Sequence, residues 1–147
     1  MSRTILVIDD DEAVRYAISR VARQAGFAVA LAANGEEGLD LLDRVSPALV
    51  ITDLIMPEKE GLETIRELRQ RRPDLPIIAI SGGGRLVGRD FLDVARKLGA
   101  QEALAKPFEP EDLVAAVNRQ LRPVTSPARS SQAPVLLDGT PRADRPI

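Results

Sequence analysis

Four short apolar runs of this chain each end in polar side chains that together suit phosphoryl-group chemistry. In chain order these side chains are Asp9 and Asp10, Asp53, Ser81 and Lys106. The runs before Asp9, Asp53 and Ser81 are rich in branched residues, as expected of a buried strand, and the run before Lys106 is a short strand. The set contains three carboxylates, one hydroxyl and one ammonium, so a nucleophile and groups that stabilise an anion are all present.

Three carboxylates brought close together repel one another, because each disfavours ionisation of the others. Lys106 supplies one compensating positive charge, and a divalent cation would supply two. The chain contains no His and no Cys, which leaves carboxylate oxygens as its charged metal ligands. Oxygen ligands of this kind favour Mg²⁺.

The simplest chemistry for this set is phosphoryl transfer onto Asp53, since an Asp carboxylate can form an aspartyl-phosphate. Mg²⁺ would bridge Asp53 and a phosphoryl oxygen with the help of Asp10, and Asp9 would hold a metal-bound water. Lys106 would pair with a second phosphoryl oxygen and the Ser81 hydroxyl with a third. Positioning and charge neutralisation dominate this chemistry, and a carboxylate nucleophile has no proton to lose.

The elements that must position these residues alternate between strand and helix. Five apolar runs read as strands, and each is followed by a stretch with apolar residues at helical spacing. This alternation predicts an α/β fold, a doubly wound five-stranded parallel sheet with helices on both faces. In such a sheet the carboxyl ends of the strands share one edge, where ligands bind.

Composition narrows the classes of function. The chain has 147 residues, 44% of them hydrophobic, with a formal net charge of -2. There is no basic excess to indicate nucleic-acid binding, and no apolar run long enough to span a bilayer or act as a signal segment. The absence of Cys fits a cytoplasmic location. Because the chain has no His, any phosphohistidine must belong to a partner.

The last part of the chain differs from the rest in composition. Pro residues recur from Pro123 onward among Ser, Ala and Arg, without hydrophobic periodicity. We therefore expect a folded domain over residues 1–122 and a Pro-rich disordered tail over residues 123–147.

The motifs that end the strands resemble those of the receiver domain of two-component response regulators. They are Ile-Leu-Val-Ile-Asp-Asp-Asp-Glu at 5–12, Asp-Leu-Ile-Met-Pro at 53–57, Ile-Ser at 80–81 and Lys-Pro-Phe at 106–108. The resemblance covers residues 4–122 in order and spacing. Each motif is modest alone, whereas the ordered set is specific.

The resemblance implies a flavodoxin-like fold with strand order 2-1-3-4-5 and Mg²⁺-dependent phosphorylation of Asp53. The donor would be a sensor histidine kinase or a histidine phosphotransfer protein. In the family the metal also binds the backbone carbonyl two residues after the acceptor, here Ile55, and the Lys106-Pro107 bond is often cis. Such a domain is a signalling module rather than an enzyme, and phosphorylation changes its binding to a downstream protein.

With no effector region after residue 122, the chain resembles a stand-alone receiver, and the family also includes homodimers. One position departs from the family pattern. Receivers commonly carry an aromatic residue three positions before the lysine, where this chain has Ala103. We hypothesise that the following glycine-rich loop, with Gly82, Gly83, Gly84 and Arg85, serves as the switch instead.

Alternative functions stay open at this point. The chain could be the receiver fragment of a larger regulator, because the tail is linker-like. It could have the fold without the phosphorylation, although all the central site residues are present. Asp9 and Asp11 also resemble the nucleophile motif of haloacid-dehalogenase-type phosphatases. That motif leaves Asp53 unexplained and expects a different residue where Ala13 stands.

Overall fold

A computed structural model describes residues 3–54, 61–81 and 89–121 of the chain. The strands are β1 (Thr4–Ile8), β2 (Ala28–Ala32), β3 (Leu49–Asp53), β4 (Ile77–Ser81) and β5 (Glu102–Ala105). The helices are α1 (Glu12–Gln24), α2 (Gly35–Val45), α3 (Gly61–Arg71), α4 (Arg89–Leu98) and α5 (Pro110–Leu121). The predicted tail over residues 123–147 lies outside the described residues, so its boundary stays a prediction.

The five strands form one parallel sheet in the order β2-β1-β3-β4-β5. This confirms the predicted fold class and strand order. The register pairs Ile8 with Thr52, Asp53 with Ile80 and Ser81 with Ala105. Because the strands are parallel and in this register, the residues that end β1, β3, β4 and β5 meet at one edge of the sheet.

The sheet separates two apolar cores, because side chains of successive strand residues point to opposite faces. On one face, strand residues such as Ile5 and Ile51 pack against α1 and α5. On the other, residues such as Leu6 and Val50 pack against α2, α3 and α4. Helices therefore cover both faces, as predicted. No helix among the described residues has the length and apolar character needed to cross a membrane.

Local signals at helix ends explain where the elements begin and end. Asp11 caps α1 by accepting hydrogen bonds from the backbone N–H groups of Ala13 and Val14. Asn34 caps α2 in the same way, through the N–H of Glu37. These caps satisfy N–H groups that have no partner within the helix. The α1 cap follows directly from the acidic run after β1, so the same residues begin the helix and flank the candidate site.

Arg69 ties together three elements at the sheet edge opposite the candidate site. Its guanidinium donates hydrogen bonds to the carbonyl oxygens of Pro73 and Gly99, each at 2.6 Å. It also contacts the Gln101 side-chain oxygen at 3.1 Å, and that oxygen accepts from the Ile77 N–H at 2.7 Å. Burial lowers the pKa of Arg69, and the charge of Asp74 opposes this shift. This network fixes the starts of β4 and β5.

Edge strand β5 is also held to α5 by a carboxylate. Glu102 accepts hydrogen bonds from Arg119, at 2.6 Å from Nη2, and from Gln120 at 2.6 Å. Burial by itself would raise the pKa of Glu102, but the hydrogen bonds from Arg119 and Gln120 and the Arg119 charge together lower it. The ionised form of Glu102 is therefore favoured in the folded state, and it fixes the strand that leads to Lys106.

We expect Glu102→Gln to lower the stability of the domain in a pH-dependent way. A carboxyl whose pKa is lowered by folding stabilises the folded state above its ordinary pKa, and this stabilisation is lost as pH falls through the folded-state pKa. The difference in Tm between wild type and Glu102→Gln should thus be present at pH 7 and shrink below about pH 4. Thermal unfolding across pH measures it, with Asp93→Asn, an exposed carboxylate of α4, as the control. A difference in Tm that does not change with pH would contradict a stabilising role of the ionised Glu102.

Gly38 lies where α2 crosses β1, and a Cβ there would meet a buried side chain. Such an atom would overlap Ile8 Cδ1 and lie 2.8 Å from Ile8 Cγ1. Ile8 is fully buried, so it has little room to move. Gly38 thus permits the close approach of α2 to β1, the strand that leads to Asp9.

We expect Gly38→Ala to destabilise the protein by about 1–3 kcal/mol, the usual cost of overpacking a core. Helix propensity alone predicts the opposite sign, a gain of about 1 kcal/mol, so the sign of the effect decides between the two. Denaturant unfolding measures it. Ile8→Val, which removes Cδ1, should recover part of the loss in the double variant. If Gly38→Ala were as stable as wild type, the space between residue 38 and Ile8 would not limit the stability of the protein.

Candidate functional site

Asp53 ends the central strand of the sheet and is almost completely buried. It is 5% exposed, and the other residues of β3 are buried as well. The hydrogen-bonding pattern of the sheet continues for one more residue, since the Leu54 N–H donates to the Ile80 carbonyl at 2.8 Å. A carboxylate thus occupies the middle of the sheet edge, as the sequence predicts.

Asp9 follows β1 and is held from several directions. Its side chain is buried, and its N–H donates to the Ala32 carbonyl at 3.1 Å. Its Oδ1 accepts from the Asp11 N–H at 2.9 Å, and its Oδ2 accepts from Lys106 Nζ at 3.3 Å. Asp9 is therefore held by its backbone and its side chain, with both carboxylate oxygens in hydrogen bonds.

The structure brings the three predicted carboxylates together. Asp9, Asp10 and Asp53 each offer an oxygen atom, and these atoms all lie within 4.8 Å of one another. Lys106 Nζ lies 3.6 Å from Asp53 Oδ2 as well as near Asp9, and its side chain is mostly buried. The Lys106-Pro107 bond is cis, as the resemblance implies. One ammonium thus faces a compact group of three carboxylates.

The donor set fits a hard divalent cation. Three carboxylates offer oxygen atoms close together, those of Asp9, Asp10 and Asp53. Asp9 and Asp53 are buried, whereas Asp10 is exposed, so the site is accessible to solvent on the Asp10 side. Mg²⁺ is usually held by one or two carboxylates and keeps several waters, which suits a half-open site. Asp10 and Asp53 would hold the ion directly. Asp9, whose oxygens are already hydrogen bonded, would contact it through a water.

Other predicted site residues are placed only in part. Ser81 ends β4 and pairs in register with Ala105, beside Lys106, so its backbone lies at the same sheet edge. Ile55, whose backbone carbonyl the resemblance assigns to the metal, lies outside the described residues. The predicted switch loop with Gly82, Gly83, Gly84 and Arg85 also lies outside them.

Ala103 occupies the position where the family commonly has an aromatic residue. It lies in β5, partly buried, and packs against the core beneath α2, α3 and α4. A methyl group at this position has no ring to turn between an inner and an outer state. The common aromatic route from the site to the surface is therefore missing from this chain.

One residue near the site was not predicted. The Arg15 guanidinium, from the second turn of α1, donates a hydrogen bond to the Asp9 carbonyl at 2.7 Å. Its placement six residues after Asp9, on a helix that begins at Glu12, is the signal that could have indicated it. The bond depends on the side chain folding back toward the end of β1, which residue spacing does not specify.

Comparison with known proteins agrees with this geometry. The family model described as response regulator receiver domain matches residues 5–118. The chain belongs to the response regulator receiver family. The receiver is thus a signalling domain of two-component systems, in which phosphorylation operates a switch. Its expected fold, strand order and family are all confirmed.

Individual relatives match most of this chain but only part of their own length. Response regulator MprA of Mycobacterium sp. strain KMS is 39% identical over 136 residues, covering 90% of this chain and 56% of that protein. MprA of Mycobacterium tuberculosis strain CDC 1551 / Oshkosh is 38% identical over 126 residues, covering 83% of this chain and 52% of that protein. The chain therefore spans about half the length of these relatives.

Solved structures give the same fold. Chemotaxis protein CheY4 of Vibrio cholerae superposes with a TM-score of 0.76 at 27% identity, covering 82% of this chain and all of that one. A response regulator receiver domain from Clostridium thermocellum superposes with a TM-score of 0.73 at 34% identity, covering 80% of this chain and 93% of that one. The resemblance therefore extends from the motifs to the whole described domain.

We expect Asp10→Asn to raise the stability of the metal-free receiver while weakening its binding of Mg²⁺. The substitution removes one of three mutually repelling charges and at the same time a direct metal ligand. Affinity for Mg²⁺ should fall by more than about tenfold, since even outer-shell partners of a metal commonly contribute that much.

Thermal unfolding with and without Mg²⁺ measures both effects for Asp10→Asn. Asp40→Asn, which removes an exposed carboxylate from α2, is the matched control and should change neither. If Asp10→Asn bound Mg²⁺ as tightly as wild type, the cluster would not be the metal site.

Proposed function

We propose that Asp53 accepts a phosphoryl group from a partner phosphohistidine, with Mg²⁺, and that the resulting charge changes which protein the receiver binds. The donor is a sensor histidine kinase or a histidine phosphotransfer protein, because the chain itself contains no His. The observation that carries this proposal is the convergence of Asp53, Asp10 and Asp9 on one point beside the Lys106 ammonium.

Each residue has a distinct task in the proposed transfer. Asp53 supplies the attacking carboxylate oxygen, and Asp10 holds the metal with it. Lys106, 3.6 Å from Asp53 Oδ2, moves from pairing with the carboxylate to pairing with the added phosphoryl oxygens. Ser81, at the adjacent strand end, donates its hydroxyl to another phosphoryl oxygen. The Ile55 backbone carbonyl, which the resemblance assigns to the metal, would be a further protein ligand.

The bond changes balance without a base from this chain. An oxygen–phosphorus bond forms at Asp53 while the nitrogen–phosphorus bond of the donor breaks, and the donor imidazole keeps the electron pair. The Asp53 carboxylate has no proton to lose, so the site needs positioning and charge rather than acid–base groups. Bound Mg²⁺ would neutralise negative charge on the phosphoryl oxygens. Burial of Asp53 strengthens its interactions with Lys106 and the metal.

Phosphorylation adds charge and acceptor oxygens at the sheet edge, and these can draw neighbouring groups toward them. With Ala103 in place of an aromatic residue, we propose that the glycine-rich loop after Ser81 transmits the change to a downstream protein. Action as a stand-alone receiver in the cytoplasm, with or without a homodimer, is part of this proposal. The greater length of the MprA relatives makes the receiver part of a larger regulator the second context to test.

A phosphatase that uses Asp9 as nucleophile is disfavoured because it leaves Asp53 without a role, although Asp53 is buried at the end of the central strand and lies beside Lys106. The comparisons match the receiver family over residues 5–118 and add no support for this alternative.

We expect acetyl phosphate and Mg²⁺ to add one phosphoryl group to the wild-type chain and none to Asp53→Ala. Intact-mass spectrometry measures the adduct, and chelation of Mg²⁺ should reduce its rate of formation strongly. Asp40→Ala, which removes an exposed aspartate, is the control and should be phosphorylated like wild type. An adduct that persists in Asp53→Ala but disappears in Asp9→Asn would favour the phosphatase alternative instead.

A further inference from the structure

Asp10 offers a metal-binding oxygen, yet its side chain is exposed and makes no hydrogen bond within the described residues. Its position therefore depends on its backbone, which lies between Asp9 and Asp11. The Asp11 end of this segment is fixed, because Asp11 caps α1 and its N–H donates to Asp9 Oδ1 at 2.9 Å. Whatever holds the backbone of Asp9 thus also helps to place the Cα and Cβ atoms from which the Asp10 carboxylate extends.

Arg15 restrains that backbone through a direct hydrogen bond. Its Nη1 donates to the Asp9 carbonyl oxygen at 2.7 Å, and this carbonyl belongs to the peptide group that joins Asp9 to Asp10. The side chain is half-buried, so solvent competes less for the bond than it would at an exposed site. The Arg15 N–H also donates to the Asp11 carbonyl at 2.9 Å, so one residue bonds to the backbone on both sides of Asp10.

We propose that Arg15 is a positioning residue of the metal site. Through the Asp9 carbonyl it holds the 9–10 peptide in the orientation that directs the Asp10 carboxylate toward Asp53. This inference rests on the metal-binding part of the proposed function, since it assumes that Mg²⁺ binds at the cluster. Removal of a group that orients a metal ligand without touching the metal commonly lowers the affinity for the metal by about 10–100-fold.

A purely electrostatic role for Arg15 predicts the opposite result. A guanidinium close to an acidic cluster repels an incoming cation, so its removal would strengthen Mg²⁺ binding if charge were all that mattered. A positioning role predicts weaker binding after removal, in spite of the lost repulsion. The sign of the change in affinity therefore separates the two roles.

The test titrates Mg²⁺ into the unphosphorylated full-length chain and follows backbone amide shifts by NMR. Arg15→Ala should bind Mg²⁺ about tenfold or more weakly than wild type. Arg20→Ala is the matched control, since Arg20 also lies on α1 but contacts the Tyr16 ring, 6.0 Å from its centroid, rather than Asp9. It removes the same charge and should leave the affinity within about twofold of wild type. Unchanged or tighter binding by Arg15→Ala would overturn the proposal.

A second measurement separates positioning from loss of fold and from failure of the proposed function. In metal-free protein, amide hydrogen exchange over residues 9–12 should be faster in Arg15→Ala than in Arg20→Ala, with equal protection in β3 and β4. Equal exchange over residues 9–12 in both variants would overturn the positioning role. If wild type bound Mg²⁺ but gained no phosphoryl group at Asp53, the proposed function would fail while the role of Arg15 in binding still stood.

Discussion

A parallel sheet brings the carboxyl ends of its strands to one edge, and in this chain that edge forces three carboxylates together. Asp9 and Asp53 are buried there with Asp10 beside them, and their nearest oxygens lie within 4.8 Å of one another. Such a cluster costs stability unless positive charge offsets it. Lys106 offsets part of this cost, and the negative charge that remains would attract a divalent cation.

The rest of the molecule can be understood as support for that arrangement. Two apolar cores, one on each face, bury the strands that carry the carboxylates. At the opposite edge Arg69 links the starts of β4 and β5, and Glu102 fixes β5 to α5. These contacts stabilise the sheet away from the site, where three carboxylates repel one another.

Much of this organisation could be predicted from sequence because it depends on local patterns. Branched apolar runs mark β1, β3 and β4, and parallel topology then places Asp9, Asp53 and Lys106 together. The contacts of Arg15, Arg69 and Glu102 could not be predicted in this way. They depend on which way a long side chain turns, and on partners such as Gly99, which lies 30 residues from Arg69. Residue spacing does not specify which way these side chains turn or which partner they reach.

The phosphoryl acceptor that we propose is the buried carboxylate at the end of β3. Reductive trapping of the acyl phosphate with borohydride, followed by peptide mass spectrometry, identifies the acceptor, because the reaction converts a phosphorylated aspartate to homoserine. After treatment with a phosphoryl donor and Mg²⁺, homoserine should be found at residue 53 and at neither residue 9 nor residue 10. Homoserine at residue 9, or none anywhere in a chain that binds Mg²⁺, would contradict the account.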